Sequence, residues 1–135
     1  MREARTILKT ERLLLREFLA TDVDALATVL SDSETMRYYP APFDRAGVEE
    51  WIERNRTRYS IQGYGLWAMV LKSNEELIGD CGLALQEVEG EKLIEIGYHV
   101  RRDLWAKDLR LRLHVHVVIM DFAKLKAAQP DFVDS

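Results

Sequence analysis

The chain has 135 residues, with 19 Lys and Arg against 23 Asp and Glu, a formal net charge of -4. That length suits one domain over residues 1–135, and the acidic balance excludes a general nucleic-acid binder, which carries a basic face. A single cysteine, Cys81, excludes an internal disulfide and a cysteine-rich metal cluster, and no apolar run reaches the roughly 18 residues of a membrane span.

Met1 to Arg12 mixes charges of both signs without an apolar stretch, so it does not read as a signal peptide, and the cytoplasm is the expected compartment. Arg12 to Phe18 is a short apolar run bounded by charges and predicts a strand. Thr21, Asp22 and Asp24 open a helix: the Thr21 hydroxyl can accept from an orphan N–H, and early carboxylates suit the positive end. Leu26, Val29 and Leu30 give that helix one apolar stripe, and residues 31–33 end it. Tyr39 to Pro42 is a loop, because each proline fixes its own φ and restricts its predecessor. A second helix starts at the capping Asp44, with Val48, Trp51, Ile52, Asn55 and Tyr59 on one buried face and Gly63 and Gly65 at its end. The period then falls to two. Leu66 to Leu71, Leu77 to Leu85 and Leu93 to Val100 make a three-strand antiparallel meander with turns at residues 72–75 and 89–91. Helices on one side of a mainly antiparallel sheet give an α/β (α+β) domain. From Leu109 to Val117 apolar residues alternate with Arg110, Arg112, His114 and His116, which reads locally as a strand, and Asp121 to Ala128 reads as a short helix stopped by Pro130.

Four pieces together resemble the GNAT acetyltransferases, within them the group typified by ribosomal-protein alanine acetyltransferases. They are Thr10 to Arg16 (TERLLLR), Gly65 to Trp67 (GLW), Leu77 to Leu83 (LIGDCGL) and Glu95 to Trp105 (EIGYHVRRDLW), in family order and spacing over residues 10 to 107. The resemblance implies a GNAT-type mixed, mainly antiparallel sheet flanked by helices, here truncated and lacking the usual C-terminal strands. It implies acetyl-coenzyme A as co-substrate, entering beside the fourth predicted strand. The backbone of Tyr98, His99 and Val100 is then expected to hold the pantetheine arm. Arg101, Trp105, Ala106, Lys107, Leu109 and Arg110, on the following loop and helix start, are expected to cradle the pyrophosphate through backbone N–H groups.

This chain departs from the family at that loop. Two glycines are replaced by Ala106 and Asp108. Alanine does not freely adopt positive φ, and Asp108 sets a carboxylate where a pyrophosphate belongs, so coenzyme binding is expected to be impaired. Asp108 to His116 can be back-translated so that one inserted base reads Gly-Leu-Ala-Thr-Glu-Ala-Ala-Arg-Ala, the family's loop and helix start. This reading puts a single-base frameshift near residue 107, and the alternation after it becomes an accident of the code. The resemblance also sets the expectation for the tail: a helix over Lys107 to Lys126 covering the sheet, with Leu109, Leu113, Val117 and Met120 on one side and His116 buried at its edge.

Glu95, mid-strand between Ile94 and Ile96, is the candidate general base, directly or through water, because an ammonium must lose a proton before it attacks a thioester. Its structural alternative is a solvated glutamate or a partner for Arg101. Tyr98 is the second catalytic candidate, lining the acetyl pocket or touching the thiolate. His99 is a weaker base candidate, Trp67 reads as core, and Cys81 reads as a buried thiol rather than a nucleophile. His99, His114 and His116 lack further ligands, so no metal is expected. The expected reaction is acetyl transfer to a primary amine, on a protein N-terminus or a small molecule; the alternative is an inactive truncated remnant that does not bind coenzyme A productively. No nucleic-acid or membrane partner is expected, and an exposed sheet edge with a thinned core favours a homodimer.

Overall fold

A computed structural model describes residues 4–128. Five strands, β1 (Thr6–Lys9), β2 (Leu13–Arg16), β3 (Leu66–Leu71), β4 (Leu77–Val88) and β5 (Glu91–Val100), form one sheet in chain order, and every neighbouring pair is antiparallel. Between β2 and β3 the chain crosses through a 3-10 turn at Ala20–Asp22, α1 (Val23–Leu30) and α2 (Arg45–Gln62). After β5 come α3 (Arg102–Lys107) and α4 (Leu109–Ala128). The α/β class and the order of the central elements are as the sequence predicts. Strand β1 was not expected, because its four residues carry no apolar alternation long enough to register.

Helices cover both faces of the sheet rather than one. On the first face, Leu26, Val29 and Leu30 of α1 and Val48 and Ile52 of α2 pack with Ala68 and Val70 of β3. On the second, Leu111, Val115 and Val118 of α4 pack with Leu13, Leu15, Met69 and Ile78. The tail is therefore helical, as the resemblance implies, and sheet coverage overrides the local strand pattern. Its orientation differs from expectation. Leu109, Leu113, Val117 and Met120 do share one side, but that side faces solvent, each more than half exposed. His116 is exposed as well, and His114 is the histidine turned inward, its Nε2 bonding Thr10 Oγ1. The inward stripe Leu111, Val115, Val118 has the same helical spacing, and periodicity alone cannot rank the two.

Local chemistry sets the element ends. The Asp44 carboxylate accepts from Gly47 N at 2.8 Å and caps α2, which stops at Gly63 in the left-handed region (φ 82°). Thr21 is not a cap; Asp22 takes the Arg16 guanidinium in two bonds of 2.8 and 2.9 Å and accepts from Leu19 N, tying β2 to the start of α1. Glu89 and Gly90, both at positive φ, close the β4–β5 hairpin in two residues. Gly79 lets that hairpin pair tightly, since a Cβ there would lie 1.9 Å from the His99 carbonyl oxygen.

Candidate active site

The site forms on β5, which lies at the edge of the sheet and has no strand partner on its outer side among the described residues. Ile94 and Val100 point into the α4-side core, so by strand alternation Glu95, Gly97 and His99 face the α1–α2 side. Tyr98 faces the other way, its ring 5.7 Å from Trp105 of α3. The two expected catalytic residues, Glu95 and Tyr98, thus lie on opposite faces of one edge strand.

Two cavities meet at this edge. One of about 420 Å³ lies between α2 and β5, with Trp51, Arg54, Arg58 and Glu95 in its wall. The other, about 540 Å³, lies between the segment after α1 and the β5–α3 corner, with Arg37, Val100, Arg102 and Trp105 in its wall. Tyr39, Tyr98 and His99 line both.

At the seam stands a network that the sequence reading did not single out. Asp80, wholly buried on β4 and directly opposite His99 in register, accepts from Trp51 Nε1 at 3.0 Å and from His99 Nδ1 at 2.9 Å. The Tyr39 hydroxyl lies 3.3 Å from His99 Nε2. The imidazole is flanked by Trp51 and Tyr39, ring centroids 5.7 and 5.8 Å away. Burial, the largest influence on His99, pulls its pKa down, but the charge of Asp80 and its hydrogen bond outweigh burial and the net shift is upward. Tyr39 is pushed up by burial first and then by the Asp80 and Glu95 charges. The available sequence signal was Asp80 itself, an aspartate inside an otherwise apolar strand.

Other expected residues take structural roles. Arg101 bonds Asp103 at 2.7 Å and Glu76 at 3.3 Å, so it is not the partner of Glu95. Trp67 is core, stacked on Tyr59. Cys81 is buried and its thiol is pushed up to about 12 by burial and then by Asp80, as an inert thiol requires. Trp105, Ala106 and Lys107 belong to α3 rather than to a loop. Leu109 and Arg110 are in the first turn of α4, whose preceding residue Asp108 accepts from Leu111 N at 3.0 Å and pairs with Arg12 at 3.3 Å. No group of three or more His, Cys, Asp or Glu suited to a metal ion occurs among the described residues.

Residues 12–122 match the family model described as Acetyltransferase (GNAT) domain. The Bacillus subtilis protein YkkB is 33% identical over 103 residues, 76% of this chain and 60% of that one. The Bacillus licheniformis N-acetyltransferase p20 is 31% identical over 102 residues, 74% of this chain and 57% of that one. The chain thus spans about three fifths of the length of these relatives. Among solved structures, an acetyltransferase from Agrobacterium tumefaciens superposes with a TM-score of 0.64 at 22% identity, covering 91% of this chain and 68% of that one. RimL, a ribosomal alpha-N-protein acetyltransferase, superposes with a TM-score of 0.60 at 16% identity, covering 90% and 68%. At these identities the structures speak for the fold.

Proposed function

The chain belongs to the GNAT acetyltransferase family, and on that premise we propose that it transfers acetyl from acetyl-coenzyme A to a primary amine, on a protein N-terminus or a small molecule. The observation that carries this reading is the meeting of two cavities at Tyr39, Tyr98 and His99 on a free sheet edge. One cavity suits the acyl donor and the other the acceptor, so donor and acceptor approach along one seam.

The residues fit the thioester end of the co-substrate. Edge groups of Tyr98 to Val100 are open to a pantetheine arm, and Arg37 and Arg102 line the donor cavity. They fit the pyrophosphate end poorly, because the Asp108 carboxylate already accepts from the first turn of α4. We assign weak coenzyme binding to that contact. Acetyl-coenzyme A supplies the activated acyl group. Glu95 offers the carboxylate toward which a cationic amine is drawn. Tyr98 lies on the donor side, where a hydroxyl serves a departing thiolate.

The acceptor class, a homodimer, and the cytoplasm as compartment belong to the same proposal. No described helix is long and apolar enough to cross a membrane. Thiol release from acetyl-coenzyme A in the presence of primary amines tests the reading. Amine-dependent release supports it, and release indifferent to amine overturns it.

A further inference from the structure

We infer that His99, oriented by Asp80, is the group that takes the proton from the acceptor amine. This rests on the acetyl-transfer reading above and names a proton acceptor within the same site. The geometry makes the case. Asp80 is wholly buried, and both its oxygens are committed, one to Trp51 Nε1 and one to His99 Nδ1. A carboxylate at Nδ1 holds the proton on that nitrogen and leaves the Nε2 lone pair facing outward. Nε2 meets the Tyr39 hydroxyl at 3.3 Å, at the seam of the two cavities, where an amine nitrogen can take the hydroxyl's place. The imidazole is only 13% exposed, packed between Trp51 and Tyr39, so it is fixed in direction before any substrate arrives.

The charges around His99 suit a base that must gain and then lose a proton. From β4 it faces Asp80, from the segment after α1 Tyr39, across the acceptor cavity Arg54 and Arg58, and along its own strand Glu95. Glu34, Arg37 and Arg102 line the neighbouring cavity. Burial opposes the imidazolium, while the charge and hydrogen bond of Asp80 favour it. An efficient base has a pKa near the working pH, a condition that an imidazole meets and a free carboxylate does not. Glu95 keeps the work of attracting the ammonium.

The proton balance is simple. The ammonium gives one proton to His99 Nε2. The neutral nitrogen then bonds the acetyl carbon as the carbon–sulfur bond breaks, and its second proton goes to the departing thiolate. His99 returns its proton to solvent.

The test uses the full chain at millimolar acetyl-coenzyme A with a panel of small primary amines and a peptide N-terminus, read by thiol release across the pH range. The wild-type kcat/KM is expected to fall on the acidic side with the titration of His99. His99→Gln is expected to lower it about 10²–10⁴-fold and to remove that limb. Asp80→Asn is expected to move the limb to lower pH, and Glu95→Gln to raise the amine KM while leaving the limb in place. Nitrogen NMR of the ring gives an independent readout: at alkaline pH Nδ1 carries the proton, and Asp80→Asn mixes the tautomers. Wild-type turnover that survives His99→Gln with the same pH profile overturns the proposal alone, as does a ring protonated at Nε2. A wild-type chain that releases no thiol with any amine overturns the acetyl-transfer reading and the proposal with it.

Discussion

The Asp108 carboxylate accepts a hydrogen bond from Leu111 N at 3.0 Å, so the first turn of α4 already carries an anion. Four effects hold Asp108 below its ordinary carboxylate range: chiefly the Leu111 N–H, then the charge of Arg12, a bond from its guanidinium and the Arg110 N–H. A pyrophosphate at this turn meets a fixed negative charge and a donor already used.

The first prediction follows from that contact. Asp108→Asn keeps a capping oxygen and removes the charge. Titration calorimetry with acetyl-coenzyme A is expected to show several-fold tighter binding. Equal affinity of the two proteins contradicts the role given to Asp108.

A second prediction concerns pH and stability. His99 has its ordinary imidazole pKa in the unfolded chain and a higher one when folded, because Asp80 outweighs the opposing effect of burial. The folded state therefore binds the proton more tightly, and the pair's stabilisation is whole below about pH 6.5. It is lost as pH rises through the folded value. In urea titrations the advantage of wild type over His99→Gln is expected to shrink steadily from mildly acidic to alkaline pH. A gap that widens with pH contradicts the sign assigned to this pair.

Two glycines of the hairpin make a paired test of packing. A Cβ on Gly79 meets the His99 carbonyl oxygen at 1.9 Å, whereas one on Gly97 meets only Leu66 Cδ2, at 3.5 Å. Gly79→Ala is expected to cost about 2 kcal/mol or more, because β4 and β5 must part behind the site. Gly97→Ala is expected to stay within about 1 kcal/mol. Thermal melts that rank them the other way refute this account of the hairpin.

The association proposal is tested by size. The exposed row Leu109, Leu113, Val117 and Met120 gives a second copy something to bury. Light scattering at low micromolar concentration is expected to give twice the 15.7 kDa chain mass. A monomer at that concentration removes the homodimer.

Much of the fold is legible in particular residues. The Asp44 cap, the apolar spacing of Val48, Trp51 and Ile52, and the period-two runs after Gly65 announce α2 and the β3–β5 meander without tertiary information. What is not legible depends on which face an element presents. Leu109 and Leu111 are equally apolar, and only the approach of α4 to β2 and β3 decides that Leu111 is buried and Leu109 is not. The candidate site divides in the same way. Glu95, Tyr98 and His99 stand out along one strand. Asp80, Trp51 and Tyr39 come to His99 from β4, α2 and the segment after α1, across sequence separations of 19, 48 and 60 residues. Only the register of β4 on β5 sets Asp80 opposite His99.

The central claim is acetyl transfer to an amine at the seam beside His99. Mass spectrometry of a primary-amine panel incubated with the full chain and millimolar acetyl-coenzyme A tests it most directly. The account predicts an N-acetylated product whose yield grows with enzyme concentration and falls sharply with His99→Gln. Amines recovered unmodified at every enzyme concentration contradict it.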